Sequence, residues 1–553
     1  MTKTDMGKLA LWKERLERAQ AAFEGEYAKM DRREATYRGA SALRPMVPGD
    51  ELTRTPHVRN VAAELIEAQV DTAIPQPRVT ARRKADERLA QIIEDMLRGE
   101  LDRLPMEVIN DIQERTAPIQ GAAFYLVEWD NTRRSHGTVG EVAVTPLHPR
   151  QVLPQEGVFT SIEDMDYIFL KLPQTREYLR RRYDVKLEDA RESEPEVRGA
   201  EDGTDSDMVT QYVVYFRNEE GGIGRFSWVD ETVLEDMEDY QARRVDGEVQ
   251  THEEVFLPGM PPVRVPYYKP DIYPVIMQRN VSVFGQLLGD SDIDKIADQQ
   301  NTINRLESKI IDKLMKAGSY ITLPDEASIR FDAEDMKVIR PGSAAAKAMI
   351  DVYDLHGDIQ PDLAYMREVY EEARQLIGIT DSFQGRRDST AMSGVAKQFA
   401  AAQSAGRLES KRVMKNAAYA ELFEAIFRFR LAYADEPRPV TGQDADGEPR
   451  YEVFSRYDFL QRDSAGQWYW NDRFFFSCDA ATPLANNREA MWQETRLNLQ
   501  SGAFGDPTAL ETLLLFWGKM ELLHYPGAGK TKSYLSERMR ERREAAERAG
   551  REL

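Results

Sequence analysis

ARQLIGITDSFQGRRDSTAMSGVAKQFAAAQSAGRLESKR, residues 373–412, joins two helical patterns across a polar stretch. On its N-terminal side, PDLAYMREVYEEARQLIG (361–378) repeats apolar residues at helical spacing, with Pro361 near the start and Gly378 at the end. On its C-terminal side a longer helical pattern runs from about 394 to 433, and Gly406, closing AAAQSAG, is the expected place for a bend. Between them, ITDSFQGRRDSTAMSG (379–394) puts Arg386 and Arg387 at a turn flanked by Gly385 and by Ser393-Gly394. An ordinary helix connection and a cationic finger offered to a polyanion both fit this stretch. Its surroundings must decide between them.

Upstream, residues 281–317 begin VSVFGQLLGDSDIDKIADQQ and carry Ile296, Ile303, Leu306, Ile310 and Leu314 as one apolar stripe. The pattern predicts a single helix of roughly 50 Å, narrow enough in its apolar face to need neighbours on either side. Residues 318–360 interrupt the two helices with strand-like SYITL and KVIRPGS. The first 115 residues read as helices, with a Pro-marked loop at 45–56 between the run 8–36 and the patterns VRNVAAELIEAQVDTAI and DERLAQIIEDMLRGELDR. Aromatic and β-branched runs follow at 121–130, 140–147, 165–172, 209–217 and 224–229, with an acidic loop at 186–208. After the long helix, YEVFSRYDFL and QWYWNDRFFFSC return to β-type sequence, and helices resume from about 486. The expected class is α+β, mainly helical, and a chain of 553 residues implies several domains or one elongated, multi-part subunit.

Composition narrows the function. The single cysteine, Cys478, excludes an internal disulfide framework and suits a reducing compartment. No run approaches the roughly 18 to 20 apolar residues of a membrane span, and the N-terminus lacks a secretory pattern, so a cytoplasmic site of synthesis is expected. Net charge is −21, which argues against a general nucleic-acid-coating surface. The charge is uneven: residues 201–254 hold 16 Asp/Glu against 4 Arg, whereas 393–430 hold 7 Arg/Lys against 3 Glu. The acidity is thus concentrated in one segment, read as loop-rich.

Catalytic patterns are weak. HYPGAGKTK (524–532) ends like a phosphate-binding loop at Gly529-Lys530-Thr531, but His524 occupies the position of the required first glycine and a helical pattern precedes it. The reading is a Pro-Gly turn between helices. The six histidines are scattered, and DSDID (290–294) has Lys295 and Asn301 where a calcium loop needs Gly and Glu, so it reads as a solvated helix face. DADGE (444–448) reads as a turn. No catalytic residue, cofactor or metal site is expected.

The order of parts resembles the portal proteins, or head-to-tail connectors, of tailed double-stranded DNA bacteriophages. The resemblance rests on HVRNVAAELIEAQVDTAIPQPRVTAR, on QGAAFYLVEWD followed by VTPLHPRQVLP, and above all on residues 373–412, where Ser393-Gly394-Val395-Ala396 matches the small element that opens the family's long kinked helix. It implies a closed, dodecameric homo-oligomeric ring at one capsid vertex, assembled in the host cytoplasm and carried in the virion. The ring would pass double-stranded DNA transiently and without sequence preference, and would meet the terminase large subunit, a head-tail adaptor, and the major capsid and scaffolding proteins, but no membrane. It also implies wing parts at 1–280 and 395–485, stem helices at 281–317 and 361–378, a clip at 318–360, a tunnel loop at 379–394 and a crown at 486–553. Gln384, Arg386, Arg387, Ser389 and Thr390 would face DNA, and the five stripe residues would be stem contacts between subunits. A non-enzymatic helical scaffold or structural virion protein is the alternative, and a P-loop nucleotide-dependent enzyme a weaker one.

Overall fold

The computed structural model describes residues 3–40, 58–135, 138–158, 160–185, 187, 208–245, 248–256, 261–322, 328–331, 337–340, 343–349, 351–355, 357–379, 394–443, 449–478, 488–522, 525 and 527–551. The chain starts with α1 (Lys3–Tyr37) and α2 (Val61–Glu67), the latter capped by Asn60, whose side chain accepts from the Ala63 N–H. Next come β1 (Pro77–Ala81), α3 (Glu87–Arg103) and α4 (Met106–Gln120). The strand and the short α2 break the all-helical reading of the first 115 residues. β2 (Ala122–Ser135) pairs with β3 (Thr138–Leu147). β4 (Val152–Pro154), β5 (Tyr167–Thr175), β6 (Met208–Arg217), β7 (Ile223–Val229) and β8 (Thr232–Met237) form one five-stranded sheet in that order, with α5 (Arg176–Tyr183) following β5. β9 (Arg244–Val245) pairs with β10 (Glu248–Val249), β11 (His252–Val255) with β12 (Val263–Pro266), and β13 (Val275–Arg279) returns to the free edge of β2.

Two helical pieces follow, α6 (Asp292–Lys295) and α7 (Ala297–Lys316). Between α7 and the next long helix lie β14 (Gly318–Thr322), β15 (Ser328–Phe331), β16 (Lys337–Arg340), α8 (Ala344–Ala348) and β17 (Asp351–Leu355). α9 (Gln360–Ile377) and α10 (Gly394–Tyr433) come next. β18 (Arg438–Gln443), β19 (Pro449–Phe454), β20 (Leu460–Arg462), β21 (Trp468–Trp470) and β22 (Phe474–Cys478) lead to α11 (Arg488–Gln500), α12 (Leu510–Leu522) and α13 (Ala528–Arg551). The chain is 48% helix and 25% strand, and every pairing among the described strands is antiparallel, so the class is α+β rather than a parallel α/β sheet.

Two compact units divide the chain. One comprises residues 1–28, 69–291 and 381–553; the other 29–68 and 292–380. In the first, the C-terminal half of α10 supplies the core. Tyr419, Leu422, Phe423, Ile426 and Phe427 are buried against Tyr125 and Val127 of β2, Ile276 of β13 and Phe474 of β22. Burying each of those side chains contributes about 1.5–3 kcal/mol. Two pairings distant in sequence close around this helix, Val79 opposite Phe476 and Met277 opposite Phe124. A second apolar cluster forms where Trp12 of α1 meets Tyr167 and Phe169 of β5 edge-on. Acidic residues of the 201–254 segment serve this junction: Lys8 bonds Asp236 at 3.0 Å and Glu238 at 2.5 Å, and Lys13 bonds Glu231 at 2.5 Å. From residue 208 that segment is built of strands, which corrects the loop-rich reading.

The expected single helix over 281–317 is also corrected. Residues 281–291 form an irregular turn in which Asp290 N–H reaches Val281 O at 2.9 Å and Asn280 Nδ2 reaches Asp290 O at 2.9 Å. The physical reason is a close backbone approach. Gly121 caps α4 at φ 90°, and a Cβ on it would overlap the carbonyl of Gly289, whose own Cβ would lie 2.6 Å from Gly121 O. Helix begins only at Asp292 and is irregular at Ile296 (φ −106°, ψ 7°); the 20 residues of α7 span about 30 Å. Asp292 is buried beside Lys295 at 3.6 Å, and Asp294 takes Arg33 at 2.5 Å, so DSDID is not the solvated face its spacing suggests.

In the second unit α7 packs on α9, which begins with Pro361 in its first turn and ends at Gly378 in the left-handed conformation, as the sequence predicts. Asp362 joins the helices by accepting from Lys309 at 2.9 Å and from Lys313. Gln300 and Asn304 on α7 hold the 29–68 segment, Gln300 Oε1 accepting from Ala62 N–H at 2.8 Å and Asn304 Oδ1 from Arg59 N–H at 3.2 Å. The insertion between the helices is closed by β14 on β17, Tyr320 opposite Tyr353, with β15 on β16 beyond it.

Replacing Gly121 by Ala is expected to lower stability by about 3 kcal/mol, because the left-handed backbone and the Gly289 carbonyl both oppose a Cβ. Gly285→Ala, at φ 79° with open space around it, should cost only about 1 kcal/mol. Denaturant titration of the two variants checks the contrast, and equal losses would remove the close approach as its cause.

Candidate functional site

The residues expected to face DNA, Gln384, Arg386, Arg387, Ser389 and Thr390, lie outside the described residues. What leads into them is firmly built. The N–H groups of Gly378 and Ile379 both reach Arg374 O, at 3.0 and 2.9 Å, and Ile377 and Ile379 are buried. Arg374 is buried as well, bonded to Glu371 at 2.9 Å with its guanidinium 5.8 Å from the Tyr370 ring centre. On the other side, α10 is helical from Gly394 and continuous through Gly406 to Tyr433, so no break in the helix marks the glycine.

The apolar stripe is redistributed. Ile296, Ile303 and Ile310 are buried within the subunit, Leu306 is half-buried, and Leu314 is 53% exposed. The three isoleucines are therefore shielded from solvent by their own chain, and of the stripe only Leu314 is open. A stripe at helical spacing reports that a face is covered, and here the cover lies within the same unit, where α7 packs on α9 and holds the 29–68 segment.

A buried polar cluster around Lys415 was not singled out in the sequence. Lys415 on α10 is 2% exposed and donates to Asp71 O at 3.0 Å and Ala73 O at 2.8 Å, with Asp71 Oδ2 at 3.4 Å and Glu114 Oε1 at 3.7 Å. Gln278 of β13 donates to Glu114 at 2.8 Å and accepts from the Tyr125 hydroxyl at 2.6 Å. Lys411, one turn earlier, donates to Gln69 Oε1 at 2.6 Å. Burial pushes the Glu114 carboxyl above its ordinary 4.5, with Lys415 and the Gln278 hydrogen bond pulling against it. Burial likewise pushes the nearby Cys478 thiol to about 12, which keeps it protonated and unreactive. A pocket of about 40 Å³ opens beside Lys411 and Lys415, room for water rather than for a nucleotide. The available signal was positional: Lys411 and Lys415 continue the 4-residue spacing of Tyr419 and Phe423, so a lysine stands on an apolar helix face. The chemistry of the cluster is anchoring. It ties α10 to α4, β13 and the 69–73 segment.

The phosphate-loop resemblance fails in three dimensions. Gly529, Lys530 and Thr531 lie in the first turn of α13, preceded by helix α12 instead of a strand. Thr531 Oγ1 donates to Gly527 O at 3.1 Å, and Glu521, paired with Lys532 at 3.0 Å, puts a carboxylate beside Gly529. Among the described residues no three His, Cys, Asp or Glu are grouped to hold a metal, and no helix is long and apolar enough to cross a membrane. DADGE lies outside the described residues. No family profile and no curated protein matches the chain.

Lys415→Met is expected to destabilise the first unit by about 3 kcal/mol or more, because two carboxylates then face each other without their buried cation. Glu114 sets a pH signature. Above its raised value the folded state carries the cost of a buried carboxylate; as pH falls towards 4.5 the folded state protonates first and that cost disappears. Stability on Glu114's account therefore rises as pH falls through that window. Glu114→Gln should remove this component, seen as a difference in the slope of unfolding free energy against pH, and identical slopes would refute it.

Proposed function

We propose that this chain is the subunit of a ring-shaped DNA channel of the portal type, which passes a double-stranded genome during packaging and ejection and serves as an attachment point for packaging motor and tail parts. The observation that carries the reading is an order of elements. Two packed helices, α7 and α9, hold a strand-built insertion between them, and the second leads, through the segment bearing Arg386 and Arg387, into a 40-residue helix. In this reading α7 and α9 form the stem, the insertion is the clip, and residues 380–393 contain the tunnel loop. The β-rich part around α10 is the wing and α11–α13 the crown. The first stem element is then α6–α7, starting at residue 292, not 281.

Physical chemistry supports the assignment. A channel must let DNA slide, and each phosphate neutralised by Lys or Arg raises affinity and slows release. A chain of net charge −21 repels DNA over most of its surface, while two arginines per subunit in one short loop give transient contacts repeated by symmetry. The protein needs no ATP site of its own under this reading, because an ATP-hydrolysing terminase supplies the work. A rod-like helical scaffold is less favoured, since the C-terminal half of α10 is buried in a β-built core instead of forming a coiled-coil seam.

Electron microscopy of the purified chain is expected to give rings of about twelve subunits with a central hole; rods or monomers would overturn the proposal. Changing Arg386 and Arg387 together to Ala should leave the rings intact, with a folding effect within about 0.5 kcal/mol. It should change DNA packaging or retention in a salt-dependent way. Unaltered packaging and retention in capsids with intact rings would take both residues out of the DNA path.

A further inference from the structure

The second unit leaves two helix faces uncovered by its own chain, and they differ in charge. On α7, the side turned away from Ile296, Ile303 and Ile310 presents exposed Asp298, Arg305 and Lys309. On α9, the side turned away from Met366, Val369 and Ala373 presents exposed Arg367, Glu368, Glu371 and Glu372, with Tyr365 beside them at 52% exposure. The first face is mixed in sign, because Asp312 stands seven residues on from Arg305 on the same side, and the second is net negative. Lys309 is engaged with Asp362 and Glu371 with Arg374. Arg305, Glu368 and Glu372 make no ion pair or hydrogen bond with any described residue.

Register singles out one pair. Asp362 lies between Lys309 and Lys313, and the helices run antiparallel through the hairpin-like closure of β14 on β17. Counting six residues on from Asp362 along α9 reaches Glu368; counting six back from Ile311, midway between the two lysines, reaches Arg305. The two unpartnered charges stand at the same level on faces directed away from each other. Two unlike faces on one unit join copies head to tail, a heterologous contact that closes into a ring when the rotation permits. Rotation about an axis along the helices keeps each residue at its own height, so the α7 face of one copy meets the α9 face of the next with Arg305 opposite Glu368.

We infer that this chain's stem interface is the contact of the α7 outer face with the α9 outer face of a second copy, with an Arg305–Glu368 ion pair at its centre and Glu372 one turn away as a second acceptor. The inference rests on the ring reading above and specifies what holds neighbours together in place of the buried isoleucines.

A charge-swap series on the full chain, read by native mass spectrometry and sedimentation at increasing salt, tests it. Arg305→Glu and Glu368→Arg each place like charges at every contact. Each is expected to raise the protein concentration needed for half-assembly roughly tenfold, as weak pairs multiply around a ring. The double variant R305E/E368R should recover most of the loss, which a merely structural defect at either site would not do. Single variants that assemble like the wild type, or a double variant no better than the singles, overturn the pairing while leaving a wild-type ring intact. A wild-type chain that stays monomeric overturns the ring reading and the interface together.

Discussion

The main core of the larger unit is arranged around one long helix that must be covered. The C-terminal half of α10 carries Tyr419, Leu422, Phe423, Ile426 and Phe427 on its buried side, and no single neighbouring segment is wide enough to shield them. Strands from both ends of the sequence are therefore brought onto it, β1 with β22 and β13 with β2. Because the hydrophobic contribution scales with apolar area removed from water, these distant pairings are held as much by the helix beneath them as by their own hydrogen bonds.

A charge is buried beside that apolar face. Lys415 lies one turn before Tyr419 and is satisfied by two backbone carbonyls and two carboxylates. A buried ion pair adds little net stability over an apolar replacement, yet it has one geometry in which every partner is satisfied. Its contribution is to position: it fixes where α10 docks on α4, β13 and the 69–73 segment. Other buried arginines work alike, Arg430 with Glu100 and Arg456 with Glu253 and Asp435. The core of this acidic chain is cross-linked by cations.

The smaller unit follows a different logic. α7 and α9 cover one another with a narrow apolar seam, and Asp362 between Lys309 and Lys313 sets their register. A seam that narrow leaves much of each helix exposed. The outer faces are thus free to be specified by charge, and they differ in it: α7 presents mixed charges and α9 mainly carboxylates. Under the proposed ring, the same helices would serve folding on one side and assembly on the other.

Helix and strand types were legible from periodicity alone. The 40-residue α10, the capped α9, the strands at 122–135, 167–175 and 208–217, and the strand-built insertion all follow from local spacing, because side-chain direction repeats at fixed periods. The broken phosphate loop was legible too, since His524 removes a required glycine whatever the fold. Tertiary structure alone decided the rest. Residues 281–291 have a helical pattern, but the approach of Gly289 to Gly121 across the fold takes that conformation away. The stripe of Ile296, Ile303 and Ile310 announces that something covers it, yet only the fold says that the cover lies within the same unit. Lys415 lies hundreds of residues from Asp71 and Glu114, and one-dimensional spacing holds no information about charges that meet only when a helix docks on a sheet. Local periodicity determines what each segment can become, and burial, which is a property of the whole chain, determines which partner it meets.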